Sequence, residues 1–99
     1  MAKRYNLVIS EEAAEDIEAI RDFGEARKKG LGFKYLEDIL DCIEAIQHNP
    51  QSFQYYKTPA IGIRRGLSKQ YSIIVLYDLD QDRDRIEILT IADSRQDWQ

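Results

Sequence analysis

The stretch Ser72-Ile73-Ile74-Val75-Leu76-Tyr77-Asp78-Leu79-Asp80-Gln81-Asp82-Arg83-Asp84-Arg85-Ile86-Glu87-Ile88-Leu89-Thr90-Ile91-Ala92 holds two apolar runs around one polar turn. Ser72 to Leu79 is rich in β-branched and aromatic residues, Asp80 to Asp84 is charged, and Arg85 to Ala92 is again rich in isoleucine. Such runs, bounded by turn residues, predict two strands joined as an antiparallel hairpin. Both are apolar at odd and even positions alike. That pattern predicts strands covered on both faces, or awaiting a partner on one.

Upstream, Ile61-Gly62-Ile63-Arg64-Arg65-Gly66-Leu67 is a candidate third strand weakened by its glycines. Pro50 and Pro59 bracket the turn-rich stretch before it. Ahead of Pro50 the period becomes helical. Leu36, Ile39, Leu40, Ile43 and Ile46 share one side of a helix from about Phe33 to Gln47, which Asn49-Pro50 stops because proline disfavours helical backbone in the residue before it. Another helix begins at Ser10, whose hydroxyl can accept from a free amide of the first turn, with Glu11, Glu12, Glu15 and Asp16 near its positive pole. Ala13, Ile17, Ile20 and Gly24 form its apolar stripe, and the expected end is near Phe23-Gly24. The polar joint from Glu25 to Gly32 makes the two helices an αα-hairpin. With Tyr5 to Ile9 as an opening strand, the order is β-α-α-β-β-β. The fold expected for residues 1–99 is a single α+β domain, with the helical hairpin packed on one face of a small antiparallel sheet.

Length and composition agree with that reading. Ninety-nine residues at 43% hydrophobic content fit one core. A single cysteine, Cys42, allows no internal disulfide. The N-terminus does not read as a secretory leader, and no apolar run approaches the roughly 20 residues that span a bilayer. A cytoplasmic location is the expectation. The formal net charge of −4 argues against a general nucleic-acid binder, since phosphate affinity comes from Lys and Arg. The charge is segregated, however. No carboxylate lies between Glu44 and Asp78, whereas Lys57, Arg64, Arg65 and Lys69 do. Either a basic face draws an anionic partner, or the segregation is a matter of solvated surfaces.

One His and one Cys supply no zinc-type ligand spacing, so no metal site is expected. His48 ends the second helix, where its cationic form suits the dipole. Cys42 lies beside the apolar stripe and reads as a small packed residue. The informative cluster is Arg64, Arg65 and Lys69 before the central strand, with Asp93-Ser94-Arg95-Gln96 after the last one. Antiparallel pairing brings Tyr71 and Ser72 near Ala92 to Arg95. Lys69, Tyr71, Asp93 and Arg95 are therefore expected at one sheet edge. Such a corner fits phosphate handling, and it fits equally a surface ion pair of Arg95 with Asp93 or Asp97.

Four further segments carry a resemblance: Lys29-Gly30-Leu31-Gly32 leading into Phe33; Ile43…Ile46…Asn49-Pro50; Ile63-Arg64-Arg65-Gly66-Leu67 before a strand ending in Tyr77, Asp78 and Asp80; and Arg85-Ile86-Glu87-Ile88-Leu89 before a terminal arginine. In that order and spacing they resemble the RelE/ParE toxins of bacterial type II toxin–antitoxin systems, over essentially residues 5–98. Many ParE-like members carry a histidine two residues before an Arg-Arg pair at the end of the last strand. Here those positions read Asp93, Arg95 and Gln96.

The resemblance implies a cognate antitoxin as partner, no cofactor, and one of three functions. A ParE-like toxin binds DNA gyrase and is not an enzyme; the helical hairpin and the terminal segment with Trp98 suit such a contact. A RelE-like toxin is a metal-independent endoribonuclease that cuts mRNA on the ribosome. For that chemistry Arg65, Lys69 and Arg95 would surround the charged transition state, and Asp93, Tyr71 or Tyr77 would handle protons. A relative that binds antitoxin without toxicity is the third. The ParE-like reading is preferred, because the overall acidity opposes docking on ribosomal RNA. Direct DNA binding without the antitoxin is not expected.

Overall fold

Nine residues of strand run beside only four at one edge of the sheet, and that mismatch shapes the molecule. The computed structural model describes residues 4–93. The elements are β1 (Asn6–Ile9), α1 (Glu11–Arg27), α2 (Leu31–His48), β2 (Ile63–Leu67), β3 (Ile73–Asp80) and β4 (Arg85–Asp93). Two 3-10 turns, Pro50–Ser52 and Pro59–Ile61, occupy the α2–β2 connection. The β-α-α-β-β-β order and the α+β class are those expected.

The sheet order is β1-β4-β3-β2. β2, β3 and β4 form the antiparallel meander, while β1 lies parallel to β4, so the sheet is mixed. The expectation of a purely antiparallel sheet holds for the meander alone. The reason lies in α1, which does not turn back. Its first residues run on beside the rest of β4, and α2 makes the return. Ser10 Oγ accepts from the Ala13 amide as N-cap and donates to the Leu89 carbonyl at 3.1 Å. The Ile91 amide donates to Asp16 Oδ2 at 3.0 Å, and Thr90 Oγ1 to Glu12 Oε2. Helix side chains thus satisfy backbone groups that β1 is too short to reach.

The apolar character of β4 at both parities has a local cause. Leu76 faces Thr90 but Tyr77 faces Ile88, leaving Leu89 as an extra residue in a bulge. Burial follows the shift: Ile86 and Ile88 are buried before the bulge, Ile91 and Asp93 after it. In β3, Ile73, Val75 and Tyr77 are fully buried, while Ile74 and Leu76 remain half-buried. Among the described residues, helices cover one face of the sheet. Tyr35, Ile39, Ile43 and Ile46 of α2, with Ala13 and Ile20 of α1, fill the space above that face. Each such aliphatic side chain stabilises the fold by about 1.5–3 kcal/mol.

α1 passes the expected end at Gly24 and continues to Arg27, because Gly24 is where α2 crosses it. A Cβ on Gly24 would lie 2.7 Å from the Tyr35 ring, and one on Gly32 would lie 2.4 Å from the Arg21 carbonyl oxygen. The joint is fixed from within: the Glu25 carboxylate accepts from the amides of Gly30 and Gly32. α2 has no side-chain cap of its own and no acid in its first turn, so Glu25 supplies that role from the preceding helix.

Gly32→Ala is expected to lower stability by about 1–3 kcal/mol through overpacking of the crossing. Thermal denaturation checks this; a melting point equal to that of the parent would show that the helices do not meet there.

Candidate functional site

The β2–β3 turn is pinned to α2 by a buried acid. Asp38, 3% exposed, accepts from the Tyr71 amide at 2.8 Å and the Gln70 amide at 3.2 Å. Within the turn, the Ile73 amide donates to Ser68 Oγ at 2.7 Å. The Tyr71 ring meets Tyr35 edge-on, with centroids 4.7 Å apart. Gly66 lets β2 approach the helix, since a Cβ there would lie 2.8 Å from Ile46 Cδ1. Asp38 had a legible signal: it falls between Tyr35 and Cys42 at helical spacing, on the face that packs inward.

Against this frame the expected site residues separate. The register is the one anticipated, with Ile73 opposite Asp93 and Ile74 opposite Ala92. The side chains, however, leave in different directions. Asp93 is buried at 3% exposure and borders a shallow cleft with Asp16, Ala19, Ile20 and Phe23 of α1. Lys69 lines a larger groove beside α2, together with Asp41, Glu44 and His48. Arg65 alternates with Gly66 and so lies on the sheet face away from the helices, where it is exposed. Arg95, with Ser94, Gln96, Asp97 and Trp98, lies outside the described residues.

Arg64 has a structural task. Its guanidinium donates to the carbonyls of Phe53 at 2.8 Å and Gln51 at 3.3 Å, donates to the Tyr55 hydroxyl, and sits 4.2 Å from the Tyr55 ring centroid. It holds the α2–β2 connection against the edge of β2. There Arg65 donates its amide to the Gln54 carbonyl and Tyr56 donates to the Ile63 carbonyl. This pairing closes the part of the edge that would otherwise be open.

Of the expected proton carriers, Tyr77 is committed to structure. Tyr77 is fully buried and donates its hydroxyl to the Pro50 carbonyl at 2.6 Å. Burial pushes its phenol well above the ordinary tyrosine range, only partly offset by Arg64. Cys42 behaves in the same way: burial, then the nearby Asp38 carboxylate, pushes its thiol up to about 11. Neither group is an anion at neutral pH.

The helix-free sheet face has its own chemistry. Register sets Leu67, Ile74 and Ala92 in one row, Arg65, Leu76 and Thr90 in the next, and Ile63, Asp78 and Glu87 in a third. Arg85 pairs with Glu87 at 3.7 Å, opposite Asp80. The face is apolar at one end and mixed in charge, with an acidic excess, at the other.

The family described as "ParE toxin of type II toxin-antitoxin system, parDE" matches residues 7–98. No curated protein matches the sequence significantly. Among solved structures, the chromosomal ParDE toxin–antitoxin system of P. aeruginosa aligns with a TM-score of 0.76 and 19% identity, covering 91% of this chain and 96% of that one. The RelBE2 toxin–antitoxin complex of Mycobacterium tuberculosis aligns at 0.68 and 12% identity, covering 97% and 100%. The RelBE complex of E. coli aligns at 0.67 and 11%, covering 93% and 99%. At these identities the structural likeness speaks for the fold.

Two measurements check the site as described. Asp38→Ala is expected to cost about 1–3 kcal/mol, the penalty for two part-buried amides losing their acceptor, and to speed hydrogen exchange at Gln70 and Tyr71. Unchanged exchange there would contradict the anchoring role. With a thiol pKa raised from 9.0 to about 11, native Cys42 should react slowly with iodoacetamide at pH 8 and gain thiolate only as the pH nears 11. Denaturant should remove the protection, and fast native alkylation at pH 8 would contradict this reading.

Proposed function

The chain belongs to the ParE toxin family of type II toxin–antitoxin systems, and from that premise we propose that it arrests growth by binding DNA gyrase and does no chemistry of its own. It acts in the cytoplasm and is held inactive by a cognate antitoxin. One observation supports the non-enzymatic reading most directly: Arg65, Lys69 and Asp93 open onto three separate surfaces. Phosphoryl cleavage needs cations and a proton acceptor within hydrogen-bond reach of one phosphate. Among the described residues Tyr77 is a buried donor, and Asp93 faces α1. The helix-free face supports the same reading. Its acidic excess repels a polyanion, whereas its apolar row from Leu67 to Ala92 suits burial under a protein.

The antitoxin is the occupant we assign to part of that apolar surface. Leu67 is 53% exposed, and Ile74 and Leu76 are half-buried beside it. An antitoxin lying there would remove them from water. Among the described residues no helix is long and apolar enough to cross a membrane.

Purified protein added to gyrase is expected to stop supercoiling of relaxed plasmid, and to leave mRNA on translating ribosomes uncut. Discrete mRNA cuts that vanish in Arg95→Ala, with supercoiling intact, would replace this reading by the ribonuclease one. Failure of both assays, with no growth arrest on expression, would leave a non-toxic antitoxin-binding protein.

A further inference from the structure

The groove that receives Lys69 lies between α2 and the β2–β3 turn and encloses about 420 Å³. That volume falls within the range of about 300–1,000 Å³ usual for ligand pockets. We propose that this groove docks a segment of a partner protein that carries an arginine or lysine beside an apolar side chain. The proposal does not depend on which target the toxin has.

The lining divides into two parts. Cys42, Ala45 and Phe53 provide an apolar floor, with Leu67 at its outer edge. Asp41 and Glu44, one turn apart on α2, form an acidic rim along one wall. Asp38 also lines the groove, but its carboxylate is already occupied by the Gln70 and Tyr71 amides. Asp41 and Glu44 are exposed, and neither has an ion-pair or side-chain hydrogen-bond partner among the described residues. Lys69 on the opposite wall pairs with neither of them; the groove holds the two walls apart.

Asp38, Asp41 and Glu44 share the lining with Lys69 and His48, and the exposed pair Asp41 and Glu44 makes the rim of the helix wall acidic. A cation entering along the helix wall meets two free carboxylates at the edge of an apolar floor, where screening is weaker than in open water. A neighbouring leucine or phenylalanine would cover Ala45 and Phe53. A purely polar cation leaves that floor wet, and an acidic segment is repelled by the rim. The wall is rigid, because Asp38 fixes the turn to the helix, so little ordering cost falls on the protein side.

The test uses three fluorescent octapeptides on the full chain at low salt: one alternating leucine and arginine, one alternating serine and arginine, one alternating leucine and glutamate. The first alone should bind, and Asp41→Lys with Glu44→Lys should weaken it about tenfold, the scale of two lost ion pairs and their reversal. Glu15→Lys with Glu18→Lys makes the same change in net charge on α1, away from the groove, and should leave binding unchanged. All four positions are exposed, so both variants should melt with the parent. Equal weakening by the two double variants, no weakening by the first, or equal binding of the serine peptide would each overturn the proposal.

Discussion

A strand of nine residues cannot be completed by a neighbour of four, and the chain meets this deficit with a helix. Backbone groups of β4 beyond the end of β1 are satisfied by Ser10 and Asp16, and the Thr90 hydroxyl there donates to Glu12. That constraint fixes the direction of α1, which must continue alongside β4 instead of folding straight back. The parallel β1–β4 pairing, the return path of α2 and the single helix-covered face all follow from it. The Leu89 bulge belongs to the same device, since its carbonyl accepts a hydrogen bond from the Ser10 hydroxyl while the capping bond of that side chain starts the helix.

Much of this was legible from the residues alone. Helical and strand periods differ sharply on either side of Pro50, and the charged turn at Asp80 to Asp84 can be read without coordinates. The hairpin register followed from the run lengths. The direction of β1 was not legible, because a strand of four residues looks the same beside a parallel or an antiparallel partner. Nor was the end of α1, where Gly24 reads as a stop by composition but serves as a point of closest approach. In β4, unbroken apolar character read as cover on both faces or one face awaiting a partner; the one-residue bulge that moves the buried set from one parity to the other left no signal in it.

The candidate site was legible in register and not in direction. Sequence placed Lys69 and Asp93 at neighbouring heights in the sheet, and the coordinates keep them there. Height is a backbone property, though, while chemistry depends on which surface a side chain reaches. Asp93 follows the shifted parity towards α1, and Lys69 sits in a turn drawn towards α2 by Asp38. The acids of α1 taught the same lesson in reverse. Asp16 reads as a helix-dipole residue, yet it also accepts the backbone amide of Ile91 from a distant strand.

Arg64 and Arg65 stand side by side and are easily taken as one basic motif. In the folded chain they leave opposite faces of the sheet: one is a clamp whose bonds end on Gln51, Phe53 and Tyr55, the other an exposed cation whose single long side-chain bond reaches Gln54. Selection therefore acts on them separately. The inner arginine should be preserved wherever the connecting loop keeps its path, even in descendants that have abandoned their target. The outer one, held only by an exposed bond to Gln54, can be retuned with whatever that face comes to touch, and a shared history of the pair is not to be assumed from adjacency.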